Sequence, residues 1–176
     1  MVPVRQAAAL GVDAVKLLMA WDVPSAERTA TTRRIASVVE QAARWEVPVM
    51  VEPIALRTPR GEQAVELEMH AARIAMELGA DIIKIAYPGS PGLLTSLKAE
   101  LGLPIVILGG PGTSTAAGLI RLVGDAVSAG ASGIVIGRQI WQREPRERLA
   151  VMRALVAVVH GRQTADQAVK ELSPVA

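Results

Sequence analysis

Lysine is scarce in this chain, four against fifteen arginines, yet two of the four stand in the middle of apolar runs. Lys84 lies in Asp81-Ile82-Ile83-Lys84-Ile85-Ala86-Tyr87 and Lys16 in Ala14-Val15-Lys16-Leu17-Leu18. A charged ammonium placed there without a partner costs several kcal/mol, roughly, so such a lysine is normally paired, deprotonated, or both. If the runs are strands, alternation sends Ile83 and Ile85 to one face and Ile82, Lys84 and Ala86 to the other. The same alternation sets Lys16 beside Ala14 and Leu18. In Val49-Met50-Val51-Glu52-Pro53 it sets Glu52 with Met50. Two amines and a carboxylate then converge on one interior. Repulsion disfavours two ammonium charges there while Glu52 opposes the loss of both, so a neutral, nucleophilic amine is within reach. Such an amine condenses with a ketone to an iminium ion, an electron sink for making or breaking the adjacent carbon–carbon bond without a metal. The plainer reading has both lysines reaching out to water at strand ends, neutralised by Asp81, Glu52 or Asp22.

Glycines supply a second set of candidates. Gly109-Gly110-Pro111-Gly112 and Gly137-Arg138 follow the last two apolar runs, where (β/α)8 barrels bind phosphate through backbone N–H groups and a short helix start. Gly109, Gly110, Gly137 and Arg138 are therefore candidate phosphate-binding residues, against the alternative that the glycines only make turns. Thr113 and Ser114 are candidates to cap the next helix or donate to the same anion. His70 and His160 are ninety positions apart, read as surface or interface residues, and no metal site is expected. Trp21, Trp45 and Trp141 are expected to pack, and Tyr87 to act as an acid or as a hydrogen-bonding cap.

The elements that must position these groups recur along the chain. Strand-sized runs cover Asp13–Met19, Pro48–Ile54, Asp81–Tyr87, Pro104–Gly109 and Gly133–Gly137, and helical spacing covers Ala30–Trp45, Gln63–Leu78, Leu93–Leu101 and Thr115–Ala129. Gly11, Gly79 and Gly130 stand where a helix must turn through positive φ before the next strand. One such unit every 25 to 35 residues or so signals a parallel α/β fold, with strands covered on both faces. An open nucleotide-binding sheet would show Gly-x-Gly-x-x-Gly after its first strand, but Trp21-Asp22-Val23-Pro24 stands there.

Composition narrows the function further. The 176 residues, just over half apolar, suit a single domain with a real core. The chain has no cysteine, no span-length apolar run and no signal-peptide pattern, so a cytoplasmic location is expected, without disulfides or a membrane partner. A net charge of +2, no Phe and one Tyr argue against nucleic acid as a partner. Scattered arginines suit a phosphorylated small molecule, and no cofactor is expected.

From about Gly11 to Leu172 these motifs resemble the DeoC/LacD-type class I aldolases, which include the archaeal-type fructose-bisphosphate aldolases. Gly79-Ala80-Asp81-Ile82-Ile83-Lys84 looks like the family's Schiff-base strand, the sixth of the barrel. Ile107-Leu108-Gly109-Gly110 and Gly130 to Trp141 resemble its two phosphate loops. Asp13 to Leu18 and Val51-Glu52-Pro53 are similar to the branch of tagatose-bisphosphate and sulfofructose-phosphate aldolases, whereas the tail from Val159 is more like the archaeal-type and thiolase branches. The resemblance implies a partial TIM (β/α)8 barrel, strands four to eight with their helices, truncated at the N-terminus and here expected to be one domain over residues 1–176. It implies reversible aldol cleavage of a phosphorylated ketose such as fructose 1,6-bisphosphate, with Lys84, Lys16 and Glu52 catalytic, and a homo-oligomer is expected. The alternatives are a silent phosphate-binding fragment, or a thiolase- or transaldolase-type transferase on the same fold. Two departures stand out. Thr58 precedes Pro59-Arg60-Gly61 where archaeal-type enzymes carry a catalytic tyrosine, and the family's acidic residue on the first strand has no counterpart in this chain.

Overall fold

The computed structural model describes residues 3–109 and 115–172, and five parallel strands alternate there with helices. Pro111, Gly112, Thr113 and Ser114, like Gly110, lie outside the described residues. Two compact units divide the chain, residues 1–85 with 101–104, and residues 86–100 with 105–176.

The first unit contains α1 (Val4–Ala9), β1 (Val15–Ala20), α2 (Ser25–Ala43), β2 (Val49–Ile54), α3 (Glu62–Glu77) and most of β3 (Ile82–Ala86). α2 begins at Ser25, five residues before its apolar periodicity does, with Pro24 as its N-cap. Its Ile35, Val38 and Ala42 are buried, three to four residues apart on one face. α3 buries Ala64, Ala71, Ala72 and Ala75, so this helix lies close over β2. Val49 and Val51 of β2 and Ile83 and Ile85 of β3 are essentially inaccessible, as strands covered by helices require. The one charged residue in the α3 stripe, Glu68, is 4% exposed. Its carboxylate accepts from Arg60 Nη1 at 2.6 Å and from the Ala55 N–H at 3.3 Å, so burial leaves it satisfied.

Parallel pairing sets a definite register. Lys16 stands opposite Met50, Leu18 opposite Glu52, Met50 opposite Ile82 and Val51 opposite Ile83. Continued one residue further, this register puts Glu52 beside Lys84.

The second unit contains α4 (Pro91–Leu101, less its last residue), β4 (Ile105–Leu108), α5 (Ala116–Ser128), β5 (Gly133–Val135), α6 (Arg138–Trp141), α7 (Pro145–Val159) and α8 (Ala165–Glu171). Val106 pairs with Gly133 and Leu108 with Val135. The core joins Leu119, Ile120 and Val123 of α5 to Val151, Leu155 and Val158 of α7, with Ala168 of α8 beneath. Thr115 caps α5, accepting from the Gly118 N–H at 3.1 Å, where Thr113 or Ser114 was expected from the sequence. His160 stands at the C-cap of α7. No described helix is long and apolar enough to cross a membrane.

Gly79 ends α3 at φ +93°, and a Cβ there would lie 2.9 Å from Val39 Cγ1. Gly79→Ala should therefore lower unfolding stability by about 1–2 kcal/mol through the left-handed backbone alone. Denaturant titration of the two chains measures this, and unchanged stability would contradict the geometry.

Candidate active site

Strand alternation and register together place two amines on one carboxylate. Lys84 Nζ lies 3.1 Å from Glu52 Oε1, and Lys16 Nζ lies 2.6 Å from Glu52 Oε2. Each carboxylate oxygen thus meets its own ammonium. The Lys84 side chain is 13% exposed and that of Glu52 10%, whereas the Lys16 side chain, on β1, is 45% exposed. Lys84 is therefore enclosed rather than reaching out to water, and Lys16 is the solvent-facing member of the trio.

Of the three carboxylates that could have neutralised the lysines, Glu52 does so and the other two are engaged with backbone. Asp81 accepts from the Val49 N–H at 2.8 Å, tying the start of β3 to the start of β2. Asp22, just past β1, accepts from the N–H groups of Leu56, Arg57 and Thr58 in the loop after β2. With Glu68 holding Arg60 and Ala55, that loop is fastened from two sides directly after the strand that carries Glu52. Nothing in the sequence pattern distinguished Asp22 as a latch, since its partners are backbone groups more than thirty residues away.

The charges follow from these contacts. Burial by itself raises the Glu52 carboxyl, but hydrogen bonds from Lys16 and Lys84 and their positive charges outweigh it and hold Glu52 below the ordinary 4.5. Asp22 likewise feels desolvation upward, outweighed by the N–H groups of Leu56, Thr58 and Arg57, and falls from 3.8 to about 2.

Gly109, Gly137 and Arg138 belong to the second unit. Gly109 follows β4 with its α-carbon packed against the Gln139 side chain, and a Cβ on Gly137 would lie 2.6 Å from Trp141 Cη2. A Cβ at either position would therefore make the Gln139 or Trp141 side chain shift. Gly137 precedes the short α6, and Arg138, its first residue, is exposed. Tyr87 is held above its usual value of 10.0, first by burial and then by the negative charge of Asp125, so its phenol stays protonated. Two tryptophans depart from the packing expected of them. Trp45 is 50% and Trp141 62% exposed. Trp21 meets the His70 ring edge-on at 5.9 Å and carries the Arg28 guanidinium 5.5 Å above its face.

Parallel strands alternating with helices define an α/β fold of the kind found in (β/α)8 barrels. Residues 1–143 match the profile described as DeoC/LacD family aldolase, and the chain belongs to that class I aldolase family. It is similar to the class 1 fructose-bisphosphate aldolase of Thermoproteus tenax, 38% identical over 133 residues, covering 72% of this chain and 48% of that protein. It also resembles the 2-amino-4,5-dihydroxy-6-oxo-7-(phosphonooxy)heptanoate synthase of Streptomyces griseus, 31% identical over 144 residues, covering 79% of this chain and 50% of that one. A solved archaeal fructose-1,6-bisphosphate aldolase, whose catalytic lysine is covalently bound to the carbinolamine intermediate of the substrate, superposes with a TM-score of 0.77 at 33% identity, covering 89% of this chain and 62% of the other. The chain spans about half the length of these curated relatives.

Because Glu52 and Asp22 titrate lower in the folded chain than in the unfolded one, each contributes stability that is full above its ordinary value and is lost as pH falls through its folded value. Stability should decline on acidification below about 4.5, with the Asp22 part lost between 3.8 and about 2. Glu52→Gln and Asp22→Asn should each flatten that acid limb in a pH series of urea titrations. At pH 7, Glu52→Gln should also cost about 1–2 kcal/mol, less than a fully buried pair because Lys16 is half exposed.

Proposed function

We propose that this chain carries the reacting amine and the proton-handling groups of a Schiff-base aldolase acting on a phosphorylated ketose such as fructose 1,6-bisphosphate. The observation that carries this reading is the enclosed Lys84, whose partner Glu52 is shared with a second amine. Glu52 touches both amines, so a proton can pass between either amine and the carboxylate without an intervening group.

In the proposed sequence Lys84 Nζ, as the free amine, attacks the ketone carbon. The carbonyl oxygen gains a proton, water leaves, and an iminium ion remains. Cleavage of the neighbouring carbon–carbon bond then sends its electron pair into the iminium, leaving an enamine, while a base removes the hydroxyl proton of the departing aldehyde. Glu52, touching both amines, and Lys16, open to solvent, carry protons between the adduct and water. Thr58 stands where the archaeal-type aldolases were expected to show a tyrosine, which leaves this task to Glu52 and Lys16.

For the phosphate we propose Gly109, Gly110, Gly137 and Arg138, whose motifs resemble the family's phosphate loops. The phosphonooxy compound in the name of the Streptomyces griseus synthase supports a phosphorylated ligand and leaves the carbon skeleton open. The absence of cysteine supports a cytoplasmic site of action.

Borohydride reduction in the presence of dihydroxyacetone phosphate, followed by peptide mass spectrometry, should leave a stable adduct on Lys84. That adduct should be missing in Lys84→Met. No adduct in folded, soluble protein would end the proposal and favour a silent phosphate-binding fragment. Glu52→Gln and Lys16→Met should still trap the adduct yet lower turnover by about 100-fold or more. Arg138→Ala should raise KM for the phosphorylated substrate by roughly 10- to 100-fold, the worth of a charge-assisted hydrogen bond.

A further inference from the structure

The strand pairing that holds Lys84 against Glu52 is the shorter of the two in the first unit. β1 pairs with β2 along Val15–Ala20 and Val49–Ile54, whereas β2 meets β3 with Met50 opposite Ile82 and Val51 opposite Ile83. Backbone groups in a strand point to alternate sides, so Val49, Val51 and Pro53 of β2 share the side that faces β3. Pro53 has no N–H to give, and it stands directly after Glu52. The ladder therefore loses a rung at the point where the ion pair sits.

At its other end the ladder is extended by a side chain. The Val49 carbonyl accepts from the Asp81 N–H at 2.9 Å, and the Val49 N–H donates to Asp81 Oδ2 at 2.8 Å. Val49 is 1% exposed, so that N–H has no water to turn to. A regular ladder would offer it a carbonyl from the residues before Asp81, but there the chain is still leaving α3. Gly79 stands at φ +93°, and the Ala80 N–H donates back to the Ala75 carbonyl at 3.1 Å. The Asp81 carboxylate supplies the acceptor instead.

The apolar pattern excludes a one-residue slip of β3 along β2, but it is blind to a slip of two. Val49, Val51, Ile83 and Ile85 would all still face the helices. Such a slip would carry Lys84 about 6.5 Å along β2, away from Glu52, at roughly 3.3 Å per residue. The two bonds between Val49 and Asp81 exist in one register only. Glu52 is the third residue after Val49 and Lys84 the third after Asp81, so this is the register that brings the amine to 3.1 Å from the carboxylate. We propose that Asp81 is a positioning residue of the site, pinning β3 to β2 and so setting the distance between Lys84 and Glu52. Its part in catalysis rests on the Schiff-base reading above, in which that distance keeps the reacting amine within reach of its proton partner.

Asp81→Ala removes the acceptor, and Asp81→Asn keeps an oxygen in its place as the conservative rescue. Asp81→Ser, whose shorter side chain falls short of the Val49 amide, replaces the alanine variant if circular dichroism shows that one unfolded. Urea titrations of Lys84→Met, Glu52→Gln and the double variant measure, without substrate, how far the two side chains act as a pair. In the unaltered chain the combined loss in the folding constant should be smaller than the product of the separate losses by about five-fold or more. In the Asp81→Ala background the two losses should multiply to within about two-fold, and in the Asp81→Asn background the coupling should return. Borohydride trapping with dihydroxyacetone phosphate reads the consequence for the reaction. Asp81→Ala should lower the limiting rate of adduct formation by about 10- to 100-fold, the scale of a small misplacement, and leave the half-saturating concentration within about two-fold. Asp81→Asn should restore most of that rate. Coupling that survives Asp81→Ala in folded protein overturns the proposal, and so does a trapping rate that Asp81→Asn fails to restore. If the unaltered chain forms no adduct at all, the Schiff-base reading falls by itself, because the coupling still decides whether Asp81 sets the pair.

Discussion

One carboxylate serving two amines is the constraint around which the first unit is organised. Glu52 meets Lys84 at 3.1 Å and Lys16 at 2.6 Å, and these distances demand three strands in parallel register with their polar residues on one face. A one-residue slip of either pairing would turn a charged group into the apolar helix layer, where burial without a partner is prohibitive. The buried faces of β2 and β3 accordingly carry Val49, Val51, Pro53, Ile83 and Ile85 opposite the helices, and Ala64, Ala71, Ala72 and Ala75 let α3 approach closely.

The loop after β2 is held with comparable care. Asp22 fastens three successive N–H groups, and Glu68, buried in the α3 stripe, fastens Ala55 and Arg60. Five ties on a segment of six residues make it a wall beside the strand ends rather than a closing flap. Such rigidity suits a reaction in which the amine must be held at a fixed distance from its proton partner, since positioning is a large part of the barrier an enzyme removes. In the second unit the same economy is visible differently. The Gln139 and Trp141 side chains lie over Gly109 and Gly137, in the space a Cβ there would take.

Several features were legible in the residues alone. The alternation around Lys84, Lys16 and Glu52 assigned each side chain its face, and the repeating strand and helix patterns announced a parallel α/β chain, because side-chain direction in a strand depends only on local periodicity. The glycines at positions 11, 79 and 130 could be read as positive-φ turns for the same reason, and each has that geometry. Distance was not legible. Which carboxylate reaches which amine depends on register between segments more than thirty residues apart, and that is settled by packing of α2 and α3 over the strands. The Asp22 latch, the early start of α2 at Ser25, the Thr115 cap and the exposure of Trp45 and Trp141 likewise depend on neighbours supplied by the fold. Sequence periodicity determined the facing of the reactive groups, and tertiary structure alone decided that they meet, because strand pairing is a long-range interaction that local pattern does not encode.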